Sequence, residues 1–168
     1  MRKLFRSSNI VVALGASILL AACSASGTVS GSYGGSSDES AVKELVRNVG
    51  DRVFFATDSA ALSAEARSTI MRQADWLKTN SKSLTIEGHA DERGTREYNI
   101  ALGARRANAV KDYMISLGVD GSRLDTVSWG KERPVSLCAE DVCWSKNRRS
   151  VSVIPVSYTH LRAHETSI

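Results

Sequence analysis

Residues 84–118 read LTIEGHADERGTREYNIALGARRANAVKDYMISLG, and they lay out a strand, a loop and a helix in that order. Leu84 and Ile86 alternate with Thr85 and Glu87, the two-residue period of a half-buried strand. Gly88 to Gly94 has no periodicity and predicts a loop. Thr95 is placed to cap a helix that runs to about Leu117 and stops at Gly118. Leu102, Val110, Met114 and Leu117 define its inward stripe. Arg106 falls on the same line, four residues after Leu102 and four before Val110. An unpaired buried charge is costly, so this arginine needs a partner. Asp91 is the candidate, and the helix begins close enough behind it for the two to converge on one cleft. The residues alone leave two readings open. One is a structural salt bridge. The other is a receptor for a zwitterion, with Asp91 accepting hydrogen bonds from an ammonium and Arg106 forking onto a carboxylate.

The flanking segments complete an alternating pattern. Arg52 to Phe55 is β-branched and aromatic and predicts a strand, while Ala41 to Val46 fits either a short helix or a run into that strand. Thr57-Asp58-Ser59 supplies turn chemistry. Ser63 can cap a helix to about Thr79 with Ala66, Ile70, Ala74 and Leu77 on its inner stripe. Leu124 to Trp129 and Ser150 to Ile154 predict two more strands. The expected order is β-α-β-α-β-β, an α+β fold in which a mixed sheet carries two main helices. A chain of 168 residues suits one such domain with short appendages.

The N-terminus reads as an address. Arg2, Lys3 and Arg6 precede an apolar run from Ile10 to Ala22, which is too short to cross a hydrocarbon core about 30 Å thick. Leu20-Ala21-Ala22-Cys23 resembles the lipobox of bacterial lipoproteins, which implies removal of residues 1–22 and acylation of Cys23. Several acyl chains at about 0.8 kcal/mol per buried methylene anchor a protein stably. Ser24, where an aspartate commonly retains lipoproteins at the inner membrane, is compatible with the outer membrane. Residues 23–38 are the acylated cysteine and a Ser/Gly-rich tether, 39–156 the folded domain. Taking the three leader cations from the 22 basic residues leaves them nearly balanced by the 18 acidic ones. A near-neutral mature chain has no field to attract phosphate polymers, so nucleic acid is not expected as a partner.

Glu87-Gly88-His89-Ala90-Asp91-Glu92-Arg93-Gly94-Thr95, Glu97-Tyr98-Asn99 and Leu102 to Val110 resemble the OmpA-like peptidoglycan-binding domain. Val127 to Pro134 and Ser145-Lys146-Asn147-Arg148-Arg149 extend the match, which spans about Asp51 to Ile154. The resemblance implies an OmpA C-terminal-like fold that binds the meso-diaminopimelate of the peptidoglycan stem peptide without a cofactor. Carried over residue by residue, it makes Asp91 and Arg106 the ligand pair. Asn99 then adds an amide contact or holds the loop, Leu102 supplies an apolar wall, and Phe55, Thr57 and Asp58 border the pocket. The wording is similar to the lipid-anchored members of the family that work in a Tol system. This implies TolB, the inner-membrane Tol complex and the outer membrane as partners, with a role in envelope integrity and division. On this reading Asp91→Ala and Arg106→Ala each abolish binding and leave the fold largely intact. Two departures stand out. Ala56 replaces an aspartate common in the family, and the tail at 157–168 has no counterpart and reads as foreign to the domain.

Cys138 and Cys143, in an exported chain, suit a small structural disulfide better than a redox pair, because the spacing is not C-x-x-C. His160 and His164 make a poor zinc site without further ligands, so no metal is expected. A wall-acting enzyme on the same fold is the rival class. His89, Asp91 and Glu92 are suggestive, but no nucleophile–base–orienter set accompanies them, and His89 reads as a satisfied structural histidine. Motor stators and porins share the wall-binding domain but need a membrane helix or a barrel for which the chain has no room.

Overall fold

The computed structural model of the protein describes residues 35–155. The leader at 1–22, Cys23 and most of the tether lie outside the described residues, as does the tail at 157–168. Helix α1 (Gly35–Glu44) continues into one π-helical turn, Leu45–Val49, and ends at Gly50. It is followed by β1 (Arg52–Phe54), α2 (Ala64–Thr79), β2 (Leu84–His89), α3 (Arg96–Ser116), β3 (Leu124–Gly130), α4 (Asp141–Asn147) and β4 (Arg149–Val153). The segment 41–46, which fitted a helix or a strand, is helical. Helix α1 begins inside the stretch read as tether. Ala41 and Leu45 explain why it folds: both are buried against the core, and Asp38 is paired with Lys82 at 2.5 Å.

The four strands are ordered β1-β4-β2-β3. Strands β2 and β3 are parallel, joined by α3 as the crossover. The last strand, β4, inserts antiparallel between β1 and β2. Both long helices lie on the face lined by Leu84, Ile86 and Ser152, where Ser152 Oγ donates to Gln73 Oε1 of α2 at 2.8 Å. Ile70, Ala74, Leu77, Ala107, Val110, Met114 and Leu124 close the core. Each buried Leu or Ile contributes roughly 1.5–3 kcal/mol. The caps fall where the sequence placed them: Ser63 Oγ accepts from Ala66 N–H and Thr95 Oγ1 from Tyr98 N–H.

One approach is closer than side chains permit. A methyl on Gly88 would run into the Gly103 carbonyl, and one on Gly103 into Ser128 Oγ and the Gly88 carbonyl. Helix α3 therefore rests backbone-to-backbone on β2, which fixes the height of Arg106 over the sheet.

The expected β-α-β-α-β-β order of strands and main helices holds, with two short helices added to it. Helix α1 precedes the first strand, and α4 intervenes between the last two. The helix α4 escaped a pattern-based reading because it is one short element with no apolar stripe. It is held by the Cys138–Cys143 disulfide, whose Cα atoms are 5.6 Å apart, and by Asn147, whose amide bonds Val135, Ser136 N–H and the Ser136 carbonyl. The second strand also extends to His89 rather than ending at Glu87, because its parallel ladder with β3 continues through Gly88 and His89.

Candidate functional site

A cleft of about 340 Å³ opens where β2 ends and α3 begins. Thr57 and Asp58 come from the β1–α2 loop, Asp91, Arg93 and Gly94 from the β2–α3 loop, and Tyr98, Asn99 and Leu102 from the first turns of α3. Thus Asp91, Asn99, Leu102, Thr57 and Asp58, five of the residues singled out from the sequence, line one cleft. Arg106 and Phe55 do not line the cleft. Both are buried, with the guanidinium carbon 5.2 Å from the Phe55 ring centre, and Phe55 borders a separate depression beside Ser145 and Lys146.

The pairing expected between Asp91 and Arg106 is not what the chain forms. Arg106 donates Nε–H to the Ser59 carbonyl at 2.8 Å, Nη1–H to His89 at 2.7 Å and Nη2–H to Ala56 at 3.1 Å. Backbone dipoles converging from the β1–α2 loop and the end of β2 satisfy a cation as a carboxylate would, so burial does not oblige it to take an anionic partner. Burial pushes its pKa down to about 10, opposed by the charge of Asp91, and it stays cationic at neutral pH. A guanidinium has five N–H groups, so one on each Nη is left over from these bonds. The family's missing aspartate at Ala56 costs this arrangement nothing, because the contact made there is a backbone carbonyl.

Asp91 is held by other cations. Its Oδ1 accepts from Arg93 Nε–H at 3.1 Å and from the Arg93 backbone N–H at 3.2 Å, and its Oδ2 accepts from Arg93 Nη2–H at 2.7 Å. Arg148 Nη1 stands 3.5 Å from Oδ2. Burial raises the carboxyl's pKa, but the Arg93 hydrogen bonds and charge, with Arg148, outweigh it and hold the group below the usual aspartate range.

The rest of the wall is equally fixed. Asn99 is buried and donates Nδ2–H to the Arg93 carbonyl at 2.8 Å, so it holds the loop. Asp58 sits at φ +52°, and the Tyr98 hydroxyl donates to its Oδ1, which raises the phenol's pKa. Lys131 Nζ ties down the Glu92 and Gly94 carbonyls.

Arg93, Gly94, Tyr98 and Arg148 were not singled out from the sequence. Arg148 is nearly buried, donates to the Phe55 carbonyl at 3.1 Å and bonds Asp141 at 3.2 Å. Its signal was the basic pair before a strand, which predicts a buried cation only once α4 is recognised. His89 is buried but not satisfied: neither ring nitrogen has a hydrogen-bond partner among the described residues, and Glu87 stands 3.7 Å away. Burial, then the charges of Arg149 and Arg133, push its pKa down to about 4, so it is neutral at pH 7. Among the described residues no cluster of His, Cys, Asp and Glu could hold a metal ion. No described helix is long and apolar enough to cross a membrane.

Comparison with known proteins agrees with this architecture. The OmpA family model matches residues 54–148. The peptidoglycan-associated lipoprotein of Rhizobium meliloti (strain 1021) is 47% identical over 152 residues, covering 86% of this chain and 86% of that protein. The crystal structure of the peptidoglycan-associated lipoprotein from Burkholderia pseudomallei, 38% identical, superposes with a TM-score of 0.61 over 62% of this chain and 90% of that one. The C-terminal domain of Helicobacter pylori MotB, at 22% identity and a TM-score of 0.59 over 64% of this chain and 85% of that one, shares the fold. The family match spans more than half the chain, and the Rhizobium relative is similar along most of its length, so the chain belongs to the OmpA family.

Proposed function

We propose that this domain binds the peptidoglycan stem peptide without cleaving it, at the meso-diaminopimelate side chain, and so tethers an outer membrane to the cell wall. The protein is a binding module, not an enzyme, in keeping with its family and its relatives. The observation that carries the diaminopimelate reading is a pair of opposite charges within each other's field: the Asp91 carboxylate lining the cleft, and the buried Arg106 guanidinium, which that carboxylate helps keep protonated and which has N–H groups to spare. Diaminopimelate ends in an amine and a carboxylate on one carbon. Asp91 receives the ammonium, Arg106 attracts the carboxylate, Leu102 packs on the methylenes, and Asn99 keeps the loop in place. Phe55 backs Arg106, while Thr57 and Asp58 close the far side.

Cys23, acylated after removal of the leader, supplies the membrane anchor in this reading, and the Ser/Gly tether lets the domain reach the wall. TolB and the inner-membrane Tol complex are the proposed protein partners, with envelope integrity and division as the process served. The test is titration of the mature protein with a diaminopimelate-containing muropeptide beside the same peptide carrying lysine. Lysine keeps the amine and lacks the side-chain carboxylate. Binding of the first with loss of the second is expected. Equal binding removes the carboxylate from the recognition chemistry, and binding of neither overturns the reading.

A further inference from the structure

The carboxylate on which the proposed site depends is already occupied. Arg93 grips Asp91 through both oxygens, and its guanidinium carbon sits over the Trp144 indole, 4.2 Å from the ring centre. Trp144 is itself fixed: its Nε1–H donates to Glu92 Oε1 at 3.0 Å, and α4, which carries it, is stapled by the disulfide. The Arg93 side chain is 41% exposed while Asp91 is 9% exposed. The cation can leave toward solvent, and the carboxylate cannot follow it.

We propose that Arg93 is a built-in competitor for Asp91, shelved on Trp144, and that it sets the affinity threshold of the cleft for any ligand bearing an ammonium group. The inference rests on the reading in which Asp91 receives that ammonium. In the free protein the guanidinium satisfies both carboxylate oxygens. A ligand amine must break a two-point contact and a cation–π stack before making its own bonds. That cost is the same for every amine, so Arg93 weakens all of them by one factor and leaves their ranking unchanged. A ligand whose only contact is its amine regains little. A ligand with a second contact beside Asp91 clears the threshold. Arg93 thus decides which amines bind at usable concentrations, while the second contact decides which binds best.

The test is Arg93→Met, which keeps an unbranched stem for Trp144 and removes the cation, titrated with the diaminopimelate and lysine muropeptides beside the wild-type protein. Both peptides are expected to tighten by about the same factor, roughly fivefold for a partly exposed two-point ion pair. Arg93→Lys, which restores a cation without the fork, falls between. In parallel, NMR titration of the Asp91 carboxyl without ligand should show its pKa rising in Arg93→Met. Unchanged or weaker binding, or an unmoved Asp91 titration, overturns the competitor. Selective weakening of the diaminopimelate peptide also overturns it, since that outcome makes Arg93 a ligand contact. If neither protein binds either peptide, the diaminopimelate reading itself fails and takes this inference with it.

Discussion

Arg106→Met separates what Arg106 does for the fold from what it does for a ligand. Methionine preserves the buried stem and deletes the donors, leaving the carbonyls of Ala56, Ser59 and His89 facing an apolar group. Hydrogen bonds to a charged group are worth roughly 1.5–3 kcal/mol each, so three of them set an upper bound of about 5–9 kcal/mol. The substitution also relieves a buried cation of its desolvation cost, which is several kcal/mol and offsets part of that loss. The expected net destabilisation is about 3 kcal/mol, a large share of a domain stability of roughly 5–15 kcal/mol. For a domain of this size it lowers Tm by about 10 °C. Circular-dichroism melts and urea titrations measure this, with Arg105→Met as the control. Arg105 is the exposed neighbour on the same helix, with its guanidinium 5.9 Å from the Tyr98 ring, and its loss should cost less than about 0.5 kcal/mol. Equal stability of the two variants would refute the assignment of Arg106 as a hub tying the β1–α2 loop and the end of β2 to α3. The sequence-based expectation that Arg106→Ala leaves the fold largely intact is therefore withdrawn. Lost binding in such a variant reports on the ligand only after its melt has been recorded.

Three further outcomes are expected. The depressed pKa of His89 lets the unfolded chain take up a proton below about pH 6.5 while the folded one resists until about pH 4, so stability is full above that window and falls by about 3 kcal/mol across it. Urea midpoints from pH 7 to pH 4 follow this, and His89→Gln should flatten the slope; an unchanged slope in that variant assigns it to other groups. Gly103→Ala should destabilise by about 2 kcal/mol or more, because backbone and Ser128 meet the new methyl, and a melt indistinguishable from wild type would show that α3 can lift off β2 freely. Replacing both Cys138 and Cys143 by serine removes a six-residue ring worth about 2 kcal/mol, and the loss should appear as a lower urea midpoint together with faster amide exchange in α4.

Much of the fold could be read from residue pattern because its long elements obey their own periods. The α2 stripe of Ala66, Ile70, Ala74 and Leu77 is buried as spaced, and Ser63 and Thr95 cap the helices they precede. What escaped was short or held from outside. Helix α4 has no apolar face, and its stability comes from a disulfide and from Asn147 bonding residues far along the chain. The β1–β4–β2 order likewise depends on where a distant strand inserts, which no local period records.

At the proposed site, the burial of Arg106 was legible in the sequence and its hydrogen-bond partners were not. Helical phasing put Arg106 on the buried face, and that placement is sound, since the side chain is 1% exposed. The step from burial to a carboxylate partner was the error, because three carbonyls converging from the β1–α2 loop and the end of β2 did the same work. Their convergence depends on the height of α3 over the sheet, which the Gly88–Gly103 contact sets, and on loop paths that have no sequence period. Satisfying Arg106 internally leaves Asp91 to bind elsewhere, and in the free protein it takes the adjacent Arg93. A direct Asp91–Arg106 bridge would have tied the carboxylate to a cation that is itself buried. Arg93 is instead 41% exposed, and on the proposed reading it can give up Asp91 toward solvent when a ligand with an amine and a carboxylate on one carbon arrives.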